Sequence, residues 1–252
     1  MKILATEPLS FGELLARCFV GYPRVFKNIW YLLLAILVMN LITAFIMRWN
    51  VYVGGTVFIL QLLLVLFLFA IALHISQTVL SDKPVNLQES VAIAKRRYLF
   101  LLGGIILLFA IMVIATMIDF GIFAIGDWSG LRGLAFVIAL IFSIFAGLIF
   151  YFSLPLIVLE RHRILRNFEK SAKLFLNNPW RIAGVFIVIH FLTMLLTVAG
   201  MYFIHGPGFS PMYIVYSLLV QFFIYPLLFV TILVLLHDAN LRLARKNEIK
   251  SA

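Results

Sequence analysis

Apolar residues arrive along this chain in six long blocks: Ile29 to Met47, Val51 to Ile75, Tyr98 to Met117, Leu134 to Leu159, Ile182 to Tyr202 and Tyr213 to Leu236. A hydrocarbon core of roughly 30 Å is crossed by about 20 apolar residues of helix, so every block is long enough to span a membrane. Lipid offers a backbone amide no partner, which forces each block to close its hydrogen bonds internally, as a helix does. A membrane β-barrel would show segments of alternating apolar and polar residues, and runs such as Leu62 to Ala72 do not alternate. Short turns follow the first, third and fifth blocks, while longer charged segments precede them. The pattern predicts an all-α integral membrane protein, a single transmembrane domain over residues 1–252 in which six transmembrane helices form three hairpins.

Composition agrees. Of 252 residues, 64% are hydrophobic and 12% charged, whereas soluble domains carry roughly 25% charge. Mean hydropathy is +1.12. The first 28 residues include Lys2, Glu7, Glu13, Arg17, Arg24 and Lys27 with no continuous apolar core, so they do not read as a cleaved signal peptide. Cys18 is the only cysteine. It leaves no internal disulfide or cysteine-based metal site and is expected to act as a small apolar residue.

The basic residues set an orientation, because Lys and Arg in short loops stay on the cytosolic side. They cluster before the first block, between Lys83 and Arg97, between Arg161 and Arg181, and after Asp238. The opposite side keeps only Arg48 and Arg132, balanced by Asp119 and Asp127, so the whole formal charge of +10 falls on one face. Both termini are therefore expected in the cytosol.

An internal period accompanies this layout. Blocks two, four and six end at Asp82, Glu160 and Asp238, at steps of 78 residues. Glu13 with Ala16, Glu89 with Ala92 and Glu169 with Ala172 form a second set at steps of 76 and 80. The expectation is three repeats, 1–81, 82–159 and 160–237, and a cytosolic tail, 238–252. Each repeat would place an amphipathic surface helix before a transmembrane hairpin, and copies that cross twice share one orientation. Phe11, Leu14, Leu15, Cys18 and Phe19 give the first such helix an apolar face, and Leu165, Phe168, Ala172 and Phe175 give the third. Ser10 with Glu13, and Asn86 with Glu89, read as helix N-caps.

Candidate sites are few. The basic residues Arg96, Arg97, Arg161, Arg163, Arg166, Lys170, Lys173 and Arg181 could contact anionic lipid, at about 1 kcal/mol for each charge near the surface, or a protein partner; equally, they could only fix topology. Charges at bilayer depth around short loops argue against nucleic acid. Within the spans, Asn40, Gln61, His74, His190 and Gln221 are polar, with Asp119 near the outer end of the third. His190, the deepest ionisable group, could relay protons or contact a substrate, or could be a neutral imidazole bonded to a neighbouring helix. Ala139, Ser143 and Gly147 set small residues four apart for close helix packing. Pro155 and Pro226 remove a hydrogen bond each and should bend their helices.

Catalytic signatures are missing: no His-Glu-x-x-His, no Gly-x-Ser-x-Gly elbow, no phosphate-cradling Gly-rich loop and no pair of histidines three or four apart. No cofactor or metal is expected. The segments Leu9 to Trp30, Leu87 to Gly104 and Leu165 to Gly184, with Glu169-Lys170-Ser171-Ala172 followed by Asn178-Pro179, resemble those of the YciC-type six-span bacterial inner-membrane proteins of unknown function. More distantly, the layout is similar to the membrane domain beside some glycerophosphodiester phosphodiesterases. The resemblance implies a bacterial cytoplasmic membrane and supplies no catalytic residues. The sequence thus leads to a non-enzymatic multi-pass inner-membrane protein, an envelope- or lipid-associated factor or a membrane partner subunit. The alternative is a small transporter or permease component, for which a water-filled cavity lined by the intramembrane polar residues would speak.

Overall fold

A computed structural model describes residues 3–128, 131–160, 163–203 and 211–251. Eight helices run in the order α1 (Phe11–Trp49), α2 (Val51–Leu80), α3 (Leu87–Trp128), α4 (Arg132–Ile149), α5 (Ser153–Leu159), α6 (Ile164–Asn177), α7 (Pro179–Phe203) and α8 (Pro211–Ser251), with no strand among the described residues. Six helical stretches are long and apolar enough to cross a membrane. Large apolar side chains stand in the open along them, among them Phe45 (60% exposed), Leu60 (62%), Phe109 (69%) and Phe191 (64%). Water would not tolerate such a surface, and lipid favours it. The chain is an all-α, six-span integral membrane protein.

Several helices outrun their apolar blocks. α1 holds 39 residues, α3 42 and α8 41, roughly 60 Å each at 1.5 Å per residue, about twice the hydrocarbon thickness. The first two segments expected as separate surface helices are continuous with the spans that follow them. Only the third, α6, is a helix of its own. The expected tail likewise continues α8. The helix starts are as expected: Ser10 and Glu13 form a reciprocal capping box on α1, and Asn86 Oδ1 accepts from the Glu89 amide at 3.3 Å.

The chain divides into two compact units, residues 1–98 with 183–252 and residues 99–182. In the first, α1 packs along both α2 and α8. Gly21 makes this possible. A Cβ there would lie 2.9 Å from Val230 Cγ1 and 3.1 Å from Leu80 Cδ2, so only a residue without a side chain lets three helices meet. Phe26 packs on Phe222 and Phe223 one turn further along. Leu14 and Cys18 are fully buried in this seam. The apolar face of the first half of α1 is therefore largely spent on protein, although Phe11 and Phe19 remain exposed.

In the second unit the fourth block is broken. α4 stops at Ile149 and α5 begins at Ser153. Pro155 lacks the amide that would bond to Tyr151, and its ring crowds that carbonyl. The chain tightens instead, with Tyr151 N donating to Leu148 O (3.2 Å) and Ser153 N to Phe150 O (2.9 Å). That leaves the Ile149 carbonyl and the Phe152 amide without helical partners. Ser171 of α6 captures both: its hydroxyl donates to Ile149 O at 2.8 Å and accepts from Phe152 N at 3.2 Å. Pro226 and Pro23, by contrast, lie inside unbroken helices. The face of α6 that is buried carries Asn167, Phe168, Ser171, Leu174 and Phe175, whereas Leu165 is 71% exposed. The buried stripe is thus rotated from the expected one and includes two polar residues. Of the small-residue stripe on α4, Ala139 is buried, Ser143 donates to the Asp119 carboxylate of α3, and a Cβ at Gly147 would meet nothing.

Candidate functional site

Where α2 gives way to α3, the chain builds a polar cleft. α2 ends in a tight reversal: Lys83 N donates to Thr78 O (3.0 Å) and Asp82 N to Val79 O (3.1 Å), with Asp82 in the left-handed region at φ 55°. This is the double bond of a Schellman cap, which uses carbonyls the helix would otherwise leave unpaired. Asp82 is one of the few side-chain types that tolerates the position, and its carboxylate pairs with Arg24 of α1 at 3.2 Å. Pro84 then prevents the helix from resuming. The result is a partly open cavity of about 300 Å³ lined by His74, Gln77, Thr78, Ser81, Lys83 and Glu89. At its wall, His74 Nδ1 lies 3.0 Å from Ser90 Oγ, and the single Ser90 proton has an acceptor in Asn86 O at 3.0 Å. That geometry suits a His74 that donates from Nδ1 and keeps Nε2 as an acceptor.

The other intramembrane polar candidates each make a bond away from the cleft. Gln61 donates to Asn40 across α2 and α1. Tyr225 donates to Gln221 Oε1 within α8 at 3.2 Å. His190 stands on an exposed face of α7, where Nδ1 donates to Phe186 O at 2.9 Å and the ring stacks on Phe186 with centroids 3.6 Å apart. Hydroxyls do likewise, Thr193 to Ile189 O and Thr197 to Thr193 O, a usual way to satisfy them in a helix. Of the five polar candidates, His74 is the one that lines the cleft.

Among the basic candidates, Arg161 lies outside the described residues. Arg163, just before α6, and Arg166 on it are exposed, Arg96 is exposed on α3, and Arg97 and Arg181 are half-buried. Lys170 is drawn into a pair with Glu160 at 2.5 Å, the two side chains 28% and 25% exposed, which ties α6 to the end of α5. Lys173 pairs with Glu169 one turn earlier at 2.5 Å. The hydrogen bond and charge of Lys173, with Arg166 adding a smaller pull, hold the Glu169 carboxyl below its usual range. Arg96, Arg97 and Arg163 make no ion pair among the described residues, which leaves their charge available.

One constellation escaped sequence reasoning. Asp238, 2% exposed, accepts from the Leu9 amide at 2.7 Å and from Arg242 Nε at 3.0 Å. Arg242 also donates to Leu9 O at 2.6 Å, and His237 Nε2 donates to Ala5 O at 2.7 Å. With Arg17 donating to Ile3 O at 3.0 Å, the segment before α1 is clasped against α8. The signal available was an acid and a base four apart at the end of an apolar block.

These features define a multi-pass α-helical membrane protein with a polar cleft at one helix turn and, among the described residues, basic side chains without an ion pair near the ends of its spans. Comparison with protein-family models, with curated proteins and with solved structures finds no match to the chain.

Proposed function

We propose that the chain is a non-enzymatic, lipid-associated inner-membrane factor of a bacterial envelope, with both termini in the cytosol and its basic residues set against anionic headgroups or a protein partner. Support comes first from charge: Arg96, Arg97 and Arg163 carry no ion pair among the described residues, and cations on the cytosolic flanks of spans attract anionic lipid. The likeness of Leu9 to Trp30 and of Glu169 to Ala172 to the YciC-type proteins points to the same membrane. Apart from His74 in the cleft, the polar candidates within the spans bond to one another or to their own helix rather than gathering at one place, which favours this reading over a transport pathway.

The test uses purified protein in nanodiscs of equal phosphatidylglycerol and phosphatidylcholine. Native mass spectrometry should find phosphatidylglycerol enriched on the protein and the enrichment reduced in Arg96→Glu/Arg97→Glu and Arg163→Glu/Arg166→Glu. Retained lipid that mirrors the disc composition would overturn the proposal. Orientation is read separately by labelling Arg48→Cys and Ser251→Cys in intact cells, the first reached by an impermeant reagent and the second protected.

A further inference from the structure

We infer that the cleft between α2 and α3 binds a phosphoethanolamine zwitterion, a primary ammonium and a phosphate borne on one small molecule or one lipid headgroup. The inference rests on the lipid-associated reading above and makes it specific. The cavity, about 300 Å³, is at the lower end of small-ligand sites and larger than this group needs. Its charged lining is one of each sign, Lys83 and Glu89, beside the imidazole of His74, the amide of Gln77 and the hydroxyl of Ser81. A purely anionic ligand would lie against the Glu89 carboxylate, and a purely cationic one against Lys83. A zwitterion satisfies both.

The choice among zwitterions follows from hydrogen bonding. A primary ammonium has three N–H donors, which suit Glu89 and Gln77, while Lys83 and the Ser81 hydroxyl donate to phosphate oxygens. A quaternary ammonium has no donor and is held best by aromatic faces. The cavity lining carries none besides His74. A serine headgroup would bring a second carboxylate towards Glu89. The place also fits: the apolar block of α2 ends at Ile75, and the cleft lies along the last turns of the helix and the reversal after Leu80, where a span leaves hydrocarbon for the headgroup layer. The Schellman cap and the Asp82 to Arg24 pair fix the backbone of Lys83 at the end of α2.

Full-length protein in phosphatidylcholine nanodiscs is titrated calorimetrically with O-phosphoethanolamine and with O-phosphocholine. Phosphoethanolamine should bind at least tenfold more tightly. Glu89→Gln should abolish that preference, and Lys83→Gln should weaken both ligands. Both side chains are exposed, so the variants should fold, and circular dichroism with thermal unfolding checks that they do. Equal affinity for the two ligands, no binding, or an unchanged preference in folded Glu89→Gln would overturn the inference. A second arm asks for the source. In discs of equal phosphatidylethanolamine and phosphatidylcholine, enrichment of the former that is lost in Glu89→Gln assigns the ligand to the bilayer. Binding of soluble phosphoethanolamine without lipid enrichment assigns it to a free solute. Phosphatidylglycerol retention measured on the same Glu89→Gln protein separates the two proposals: if it persists while phosphoethanolamine shows no preference, only the cleft assignment fails.

Discussion

Replacing Ser171 with Ala should be far more damaging than the loss of one hydroxyl suggests. The side chain is fully buried and is the acceptor for Phe152 N and the donor to Ile149 O. Neither backbone group has a helical substitute, since Ser153 N has gone to Phe150 O and Leu148 O is taken by Tyr151 N. Each buried group left unpaired costs about 1–3 kcal/mol, so the variant should lose about 2–4 kcal/mol, on the order of 30-fold or more in the unfolding equilibrium. Ser76→Ala is the control. Ser76 is equally buried, but its hydroxyl donates to Ala72 O of its own helix, and removing it should cost about 1 kcal/mol or less. Both are measured by equilibrium unfolding in mixed micelles, followed by circular dichroism. If Pro155 causes the break, Pro155→Ala restores an amide for Tyr151 O and Ser171→Ala should cost less in that background. Equal costs for Ser171→Ala and Ser76→Ala would refute the account of the break.

Further perturbations probe the first unit and α6. Asp238→Ala should cost about 1–3 kcal/mol, because it removes the carboxylate that accepts from the Leu9 amide and from Arg242 Nε, and should open residues 3–9 to protease; Asp238→Asn, which keeps an acceptor for Leu9, should fall between. Gly21→Ala should cost about 1–3 kcal/mol through contact with Val230 and Leu80, whereas Gly12→Ala, which meets nothing, should be neutral or stabilising by up to about 1 kcal/mol; thermal unfolding of the two variants decides. A carboxyl depressed by folding stabilises above its ordinary range and loses that contribution as pH falls through the depressed value. NMR titration should therefore place Glu169 below an ordinary Glu in the native protein and move it up towards the ordinary range in Lys173→Gln, with little effect on stability because the pair is exposed.

The spans were legible because lipid imposes one requirement on every residue in a block, and a run such as Val51 to Ile75 has no other use. The capping box at Ser10 and Glu13 was legible for the same local reason. What the sequence hid was who covers what. Leu14 and Cys18 read as a face for the headgroup layer, yet they meet protein, and hydropathy cannot tell the two apart. The buried face of α6 differs from the expected stripe of Leu165, Phe168, Ala172 and Phe175 because it takes in Asn167 and Ser171, which an apolar pattern does not select. The burial of Ser171 is explained by partners on another stretch of chain, the Ile149 carbonyl and the Phe152 amide. His74 could be named from sequence, but Lys83 and Glu89 join it only through the reversal at Asp82.

The clasp and the cleft share a structural element. Ile3, held by Arg17, lies at 3.5 Å from the position a Gly21 Cβ would take, and Leu80 approaches the same point at 3.1 Å. Two residues beyond Leu80, Asp82 is bound to Arg24, one turn along α1 from Gly21. Interiors packed this closely do not deform smoothly, so the first half of α1 must keep its register on α8 for the reversal that sets Lys83 to keep its shape. Such an arrangement accounts for an otherwise uneconomical feature, a fully buried Asp238 on an apolar helix. Hydrophobic contact alone would let α1 slide along α8. Asp238 and Arg242 on α8, both bonded to Leu9 just before α1, favour the register in which those bonds form.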